Sequence, residues 1–435
     1  MKKVFFHTLG CKVNQYDTQA MLEQFLIHGY TQVFSTEEAD VCVVNTCTVT
    51  STADKKSLQI ANRQKKLNKN CELIITGCMS QSRSDELLKT GARLILGTQF
   101  RHSIVTLLHK AIEENTQIVA VEGLDSVGFE NLQVSGHNAH TRAVIKIQEG
   151  CNYNCSYCII PSVRGKVRSR ELNDIVAEAK SLVRGGYKEI VLTGINLSCY
   201  GIDGKNADLC NVVEELNKIE GLKRIRISSL EPNLVTEEIA NRLQQCKKLC
   251  PHFHLALQSG SNTVLNAMRR RYNVERFKKS VDILHKYFAN CAITTDIIVG
   301  FPAETEECFV ETMEFVKQVN FQKIHVFPFS PRKNTDAANM PQIDSTIKKQ
   351  RTKTLIALSD SLADAIYQNC IGKKYSVLLE EEVSPNIWKG YTANYMPVLI
   401  NGNFKSGDMP LVKIVSVEKE VLYGEETNYG ELHLL

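Results

Sequence analysis

Runs of apolar residues alternate with helix-spaced segments through most of this chain. In its first part, strands are expected over 4–7, 40–44, 72–76 and 93–97, with helices between them, including 17–28 and 80–90. Alternation of this kind argues for a parallel sheet with helices on its faces. The pattern weakens from about 115 to 140. The polar stretch 131–141, with Gly136, His137, Asn138 and His140, reads as a linker. A second alternating unit begins near Arg142, with strands expected over 143–148, 189–193, 224–228, 252–257, 293–299 and 323–327. Its helices include 172–184, 236–245, 274–285 and 305–319. These repeats fall short of a full (β/α)8 barrel, so an open or partial barrel fits better. A long helix is expected over 345–369. Beyond it lie short alternating segments, 375–380, 396–400, 411–417 and 421–425, broken by Pro385, Gly390, Pro397, Gly402, Gly407 and Pro410. Those describe a small β-barrel. The chain thus divides into an α/β unit over 1–114, a linker over 115–136, an α/β core over 137–366 and a β-barrel over 369–435.

Composition sets bounds. A chain of 435 residues exceeds what one core usually holds, in keeping with several domains. Its 43% hydrophobic and 23% charged residues are ordinary for a globular protein. A net charge of +4 neither demands nor excludes a nucleic acid partner. The apolar run Val4-Phe5-Phe6 is too short for a secretory segment, which also removes the lipoprotein reading of Thr8-Leu9-Gly10-Cys11. No uncharged apolar run is long enough to span a membrane, so a cytoplasmic protein is expected.

Fifteen cysteines are many for such a chain. In a reducing compartment they are not expected to form disulfides, and many should be small buried hydrophobes. Cys42, inside a predicted strand, is one of these; Cys71 is a neutral surface candidate. Spacing singles out Cys151, Cys155 and Cys158, directly after the strand over 143–148. Three thiolates so close in sequence can hold one inorganic cluster, and soft sulfur suits iron–sulfur or zinc. A structural zinc site usually takes four ligands, and no fourth Cys or His stands nearby in sequence. A zinc knuckle would need a distant fourth ligand. A [4Fe–4S] cluster with three protein ligands leaves one iron open.

The Cys-x3-Cys-x2-Cys spacing, with Tyr157 before the last cysteine, resembles the radical S-adenosylmethionine (SAM) superfamily. The resemblance implies a partial (β/α)6 barrel and a cluster whose open iron chelates SAM. An electron passed into the sulfonium then releases a 5′-deoxyadenosyl radical. It also implies cofactor contacts at the carboxyl ends of barrel strands. Thr193, Gly194 and Asn196 would grip the amino group. Ser229 and Glu231 end the third strand. Gln258 and Ser259 would meet the ribose, and Asp296 the adenine.

Cys11, Cys47 and Cys78 are far apart in sequence, but each follows a predicted strand of the first unit. In an open parallel, Rossmann-like sheet those ends face one crevice, where ligands bind. The three thiols either converge there on a second metal centre or are unrelated buried groups. Leu9-Gly10-Cys11-Lys12-Val13-Asn14-Gln15-Tyr16-Asp17, Asn45-Thr46-Cys47 and Thr76-Gly77-Cys78 resemble the signature of the methylthiotransferase amino-terminal domain. That resemblance implies a second [4Fe–4S] cluster on these cysteines, which carries or donates sulfur. The segment after Ile371 is similar to the substrate-binding TRAM barrel. Together the resemblances cover nearly the whole chain.

Within this family, the string from Gly10 to Tyr16 resembles the MtaB-type branch acting on threonylcarbamoyl-adenosine beside the tRNA anticodon. Other branches act on isopentenyl-adenosine in tRNA or on an aspartate of a small-subunit ribosomal protein. The implied partners are a tRNA anticodon stem-loop and an electron donor of the flavodoxin or ferredoxin type. The implied reaction takes hydrogen from C2 of the adenine, inserts sulfur and adds a methyl group from a second SAM. A radical is needed because that C–H offers no proton to a general base.

Charge is divided unevenly. Lys55, Lys56, Arg63, Lys65, Lys66 and Lys69 form an acid-free basic run, and Arg269, Arg270 and Arg271 form another. Arg164, Lys166, Arg168 and Arg170 leave the cluster loop directly, and Arg164, Arg168 and Arg170 are candidate substrate contacts. Such runs either grip phosphates or are solvated faces. Residues 370–435 hold six Lys and no Arg against nine acids, unusual for an RNA-binding barrel. A basic ribosomal protein would suit it, or RNA held by shape and by Trp388, Tyr391 and Tyr395. A reading of another class is a non-catalytic iron–sulfur or zinc protein that binds RNA or passes electrons.

Overall fold

A computed structural model of the chain describes residues 1–125, 127–136 and 141–427. Residues 137–140 of the expected linker, and 428–435 at the end of the expected β-barrel, lie outside the described residues.

The first unit is one parallel sheet. Its strands run in the spatial order Thr31–Gln32, Lys3–Thr8, Val41–Thr46, Glu72–Gly77, Leu94–Leu96 and Ile118–Ala120. Val41–Thr46 is buried along its whole length, as a central strand covered on both faces must be. Val41 and Val43 face Met21, Phe25, Ile104 and Leu108 on one side. Cys42 and Val44 face Ala61, Met79 and Leu87 on the other. Cys71 joins that second core and is buried, not at the surface, since it packs in the same cluster as Cys42 and Leu73. Ile118–Ala120 extends the sheet past the boundary read at 114. The stretch read as a linker also buries Leu132 and Val134 against Tyr16 and Ala20.

In the core, six parallel strands carry the partial barrel: Arg142–Glu149, Glu189–Gly194, Arg224–Ile227 continued by Ser229–Leu230, His252–Leu255, Ala292–Val299 and Lys323–Pro328. A bridge from Ile225 to Leu249 joins its two halves. Alternate residues point outward: Ala143, Ile145 and Ile147 pack against Ile175, Ala179 and Leu182 of the helix Leu172–Arg184. The helix Ser345–Gln368 closes over Lys323–Pro328.

The third unit is a closed barrel of strands Lys374–Ser384, Ile387–Thr392, Pro397–Asn401, Val421–Glu426 and Leu411–Glu418. The strand Ile387–Thr392 was not foreseen because Gly390 reads as a breaker. Here Gly390 is required: a Cβ at that position would stand 2.3 Å from the Leu378 carbonyl oxygen. The barrel seats on the amino-terminal ends of the core strands. Arg224 donates to the carbonyls of Tyr391 (2.9 Å) and Ser376 (2.6 Å), and Arg226 to that of Ala393 (2.9 Å).

The helix Lys12–Ile27 joins the first unit to the core. Its Asp17 is 1% exposed and pairs with Arg101 (3.1 Å) of its own unit and with Lys146 and Arg164 (3.0 Å) of the core. Tyr16 donates to the Leu132 carbonyl at 2.6 Å. No helix of the described residues is long and apolar enough to cross a membrane.

Candidate active site

The strand Arg142–Glu149 ends at Gly150, whose φ of +72° lies in the left-handed region that favours glycine. A Cβ there would meet the Lys166 carbonyl oxygen at 1.9 Å. The loop this turn launches is held by backbone bonds: Cys151 N to Gly165 O, Ser156 N to Met268 O and Cys158 N to Cys155 O. As a result Cys151, Cys155 and Cys158 line one cleft of about 530 Å³ at the carboxyl end of the barrel strands. Burial pushes the Cys158 thiol up to about 12, and raises Cys155 despite the neighbouring Arg270. Three soft donors that share one cleft, with Cys155 and Cys158 costly to ionise in place, suit a cation that displaces thiol protons.

Tyr157, Asn196, Ser229 and Glu231 line the same cleft. The Asn196 side-chain nitrogen is 3.8 Å from Cys151 Sγ, and its backbone N–H donates to Gln148 Oε1 at 2.8 Å. Gly194 permits this turn, since a Cβ would stand 2.9 Å from Gln148 Oε1. Arg270 was seen in sequence only as part of a basic run. Its guanidinium reaches Cys155 Sγ at 3.3 Å and both Glu231 oxygens at 2.6 Å. The run is divided by burial: Arg269 pairs with Asp336 at the surface, and Arg271 stacks on Tyr153 at 4.1 Å.

Other residues expected at the cofactor do not line the cleft. Thr193 is buried within its strand. Ser259 is buried and faces Thr312 at 3.4 Å. Gln258, at φ +68°, bonds through its backbone to Asp296 and Ile298. The Asp296 side chain meets His254 at 3.3 Å, with His325 beside them.

Cys11, Cys47 and Cys78 each stand at the carboxyl end of a strand of the first sheet. Cys11 caps the helix Lys12–Ile27, and Cys78 begins the helix Cys78–Leu88. A Cβ on Gly10 would lie 3.1 Å from Cys47 Sγ, so the two loops touch. Cys47 and Cys78 are buried and Cys11 is exposed. Burial raises Cys47 to about 11, and the nearby Cys78 and Cys11 add to the shift. The thiols therefore sense one another across one crevice, and the donor set again suits a soft metal centre.

Arg164, Arg168 and Arg170 are not a phosphate-gripping surface. Arg164 is fully buried; it donates to Cys78 Sγ (3.1 Å), Asp17 (3.0 Å), Glu149 (2.9 Å) and Asn14. Arg170 is buried against Glu178 and Tyr16. Arg168 donates to the Arg164 carbonyl and is 8% exposed. The charges of Arg164 and Arg170 are thus spent on buried carboxylates at the junction between the two units. The run from Lys55 to Lys66 lies on the helix Ser51–Leu67, where Lys55, Lys56, Arg63 and Lys66 face out and Lys65 donates to the Cys71 carbonyl.

The radical SAM superfamily profile matches residues 145–316, and that of an uncharacterized protein family, UPF0004, matches 3–97. The threonylcarbamoyladenosine tRNA methylthiotransferase MtaB of Bacillus subtilis is 42% identical over 96% of this chain and 94% of its own length. The chain belongs to the radical SAM methylthiotransferase family. Two further relatives share less identity with this chain. The ribosomal protein uS12 methylthiotransferase RimO of Clostridioides difficile is 35% identical, covering 90% of each chain. The tRNA-2-methylthio-N(6)-dimethylallyladenosine synthase of Clostridium botulinum is 34% identical over 97% of this chain and 96% of its own. Among solved structures, the radical SAM methyltransferase TsrM of Kitasatospora setae, with cobalamin and a [4Fe–4S] cluster bound, shares the fold. Its TM-score is 0.58 at 15% identity, with 78% of this chain and 77% of that one covered. As a radical SAM methylthiotransferase, the chain is an enzyme that uses SAM and a [4Fe–4S] cluster. The cleft of Cys151, Cys155 and Cys158 has the donors for that cluster.

Proposed function

We propose that this radical SAM methylthiotransferase adds a methylthio group to C2 of threonylcarbamoyl-adenosine beside the tRNA anticodon. The observation that carries the reading is the pairing of two three-thiol sites on one chain, with Arg164, which follows the first site's loop, donating to Cys78 of the second, and with sequence nearest in identity to the tRNA-acting MtaB protein among the relatives described above. Cys151, Cys155 and Cys158 hold one [4Fe–4S] cluster; Cys11, Cys47 and Cys78 hold a second. When bound, these groups and SAM supply radical chemistry for a ring C–H that no general base can deprotonate, together with sulfur to insert. The chain's own residues prepare the site. Asn196 and Glu231 offer polar groups to the cofactor's amino acid end. Arg270 holds Glu231 in place and places positive charge beside Cys155. The cleft walls Tyr157, Ile160 and Leu230 keep water from the radical. An electron donor of the flavodoxin or ferredoxin type completes the cycle.

Mass spectrometry of digested tRNA from cells with and without the gene tests this. Loss of the methylthio form, with accumulation of its threonylcarbamoyl-adenosine precursor, is expected. A change confined to isopentenyl-adenosine would keep the chemistry and overturn the substrate. Unchanged tRNA with an altered ribosomal protein would keep the methylthiolation chemistry and overturn tRNA as its target; the acidic barrel would then be the better guide to the substrate.

A further inference from the structure

The largest polar cavity described lies at the junction of the three units, with about 1650 Å³ of open space. Cys11 and Lys12 line it from the first unit, Arg142, Val144 and Val191 from the core, and Tyr395 from the barrel. It therefore leads from one thiol of the second site to the inner face of the core strands.

Lys12 is the unexplained member. It opens the helix Lys12–Ile27, whose first turn holds no acid. A cation at a helix start opposes the helix dipole, and nothing in that turn offsets it. Its side chain is exposed to the cavity, and among the described residues no carboxylate is within ion-pair distance. The acids around it are already engaged: Glu189 by Arg226 (2.7 Å) and Arg224 (3.6 Å), Glu380 by Arg142 (2.6 Å), and Glu381, which also lines the cavity, by Lys389 (3.5 Å). Arg142 and Arg226 also lie over the Tyr395 ring, at 5.1 and 4.6 Å. The positive field is strong at this point. Burial alone would raise the Tyr395 phenol, yet Arg142, Lys12 and Arg226 bring it below its usual value. The charge of Lys12 is felt as far as His252 and His325 on the opposite strands. The cavity thus presents concentrated positive charge beside an aromatic wall.

We infer that Lys12 binds a carboxylate carried by the substrate nucleoside on its N6 substituent, and so selects for that substituent. The inference rests on the function proposed above, because a threonylcarbamoyl group ends in a carboxylate and an isopentenyl group does not. The Arg142–Tyr395 wall gives the apolar part of the base a surface to lie against.

The test compares wild type and Lys12→Met on two anticodon stem-loops. One carries threonylcarbamoyl-adenosine, the other the same group as its methyl ester, and iron per chain is measured for both proteins. A charged hydrogen bond lost at such a site weakens binding about tenfold to a hundredfold. Wild type should show that loss on passing from acid to ester, mainly in KM. Lys12→Met should show it already on the acid, with no further loss on the ester. Lys12→Arg should restore the preference, and iron should be the same throughout. Wild type treating acid and ester alike would overturn the inference. So would a Lys12→Met loss of equal size on both, or a fall in its iron, which would make Lys12 a support for the second thiol site. A wild type that modifies an isopentenyl stem-loop and neither of these two would overturn the proposed function itself, a result distinct from the others.

Discussion

Arg164 offers the sharpest test of how the two large units are joined. Replacing it with Met keeps much of the volume and removes the charge. The guanidinium lost has four partners, Asp17, Glu149, Asn14 and Cys78. Removing one member of a buried charge network costs about 3–5 kcal/mol. Here the two carboxylates keep other cations. Asp17 retains Arg101 and Lys146, and Glu149 retains Lys146 at 3.0 Å. The cost should therefore fall near the lower end, about 3 kcal/mol. That corresponds to a drop in Tm on the order of 6–12 °C for a large domain. Calorimetry of wild type and variant, with iron content and tRNA affinity at several salt concentrations, reads the outcome. If Arg164 instead met a phosphate, Tm would hold, affinity would fall and the salt slope would lose about one unit. An unchanged Tm with that altered slope would refute the junction reasoning.

Cys155→Ala should abolish cleavage of SAM by the reduced protein; intact cleavage would remove the first thiol site from the chemistry. Replacing Cys11, Cys47 and Cys78 together by Ala should remove about half of the iron and leave cofactor cleavage measurable, and undiminished iron would mean these thiols hold no cluster. Gly150→Ala forces a Cβ onto the Lys166 carbonyl, so the loop must shift; a loss of iron from the first site with an overpacking cost of about 1–3 kcal/mol is expected. Glu189 gives a pH dependence: burial would raise its carboxyl, but Arg226, then Arg224 and Arg142, hold it below the usual carboxylate range. A depressed carboxyl stabilises fully at neutral pH and loses that contribution as pH falls through its folded value. Acid should thus loosen the seat of the β-barrel in wild type, seen as faster proteolysis after the helix Ser345–Gln368, while Glu189→Gln should lose that dependence.

Much of the fold could be read in advance because buried parallel strands are written as apolar runs between turn residues. Val41–Thr46, Glu72–Gly77 and the six core strands are of this kind. Short strands escaped: Ile118–Ala120 is three residues in a polar stretch, and its partner across the sheet supplies what its own sequence lacks. The start of the helix Lys12–Ile27 escaped as well. Its cap is Cys11, which makes no side-chain capping bond, so the usual Ser, Thr, Asp or Asn signal is missing. At the site, Cys151, Cys155 and Cys158 are legible by spacing alone, and Cys11, Cys47 and Cys78 only by their places at strand ends. The arginines misled. Arg164 and Asp17 are 147 residues apart, and nothing local distinguishes an arginine bound for a buried junction from one bound for water. Arg270 is the converse case, a surface-looking charge that folding carries to the edge of a thiol cleft.

The way the β-barrel is seated has an evolutionary consequence. Arg224, Arg226 and Gln322 take hold of it through the carbonyl oxygens of Ser376, Tyr391, Ala393 and Asn394. Those oxygens belong to the backbone and are the same whatever side chains the barrel carries. The core thus recognises the shape of a chain path and is indifferent to much of its composition. Apart from Glu380 and Glu420, which pair with Arg142 and Lys323 of the core, a module held this way can change its surface charge without losing its place. An acidic barrel on this chain is then the record of a part free to be retuned toward its target while the catalytic frame beneath it stays fixed.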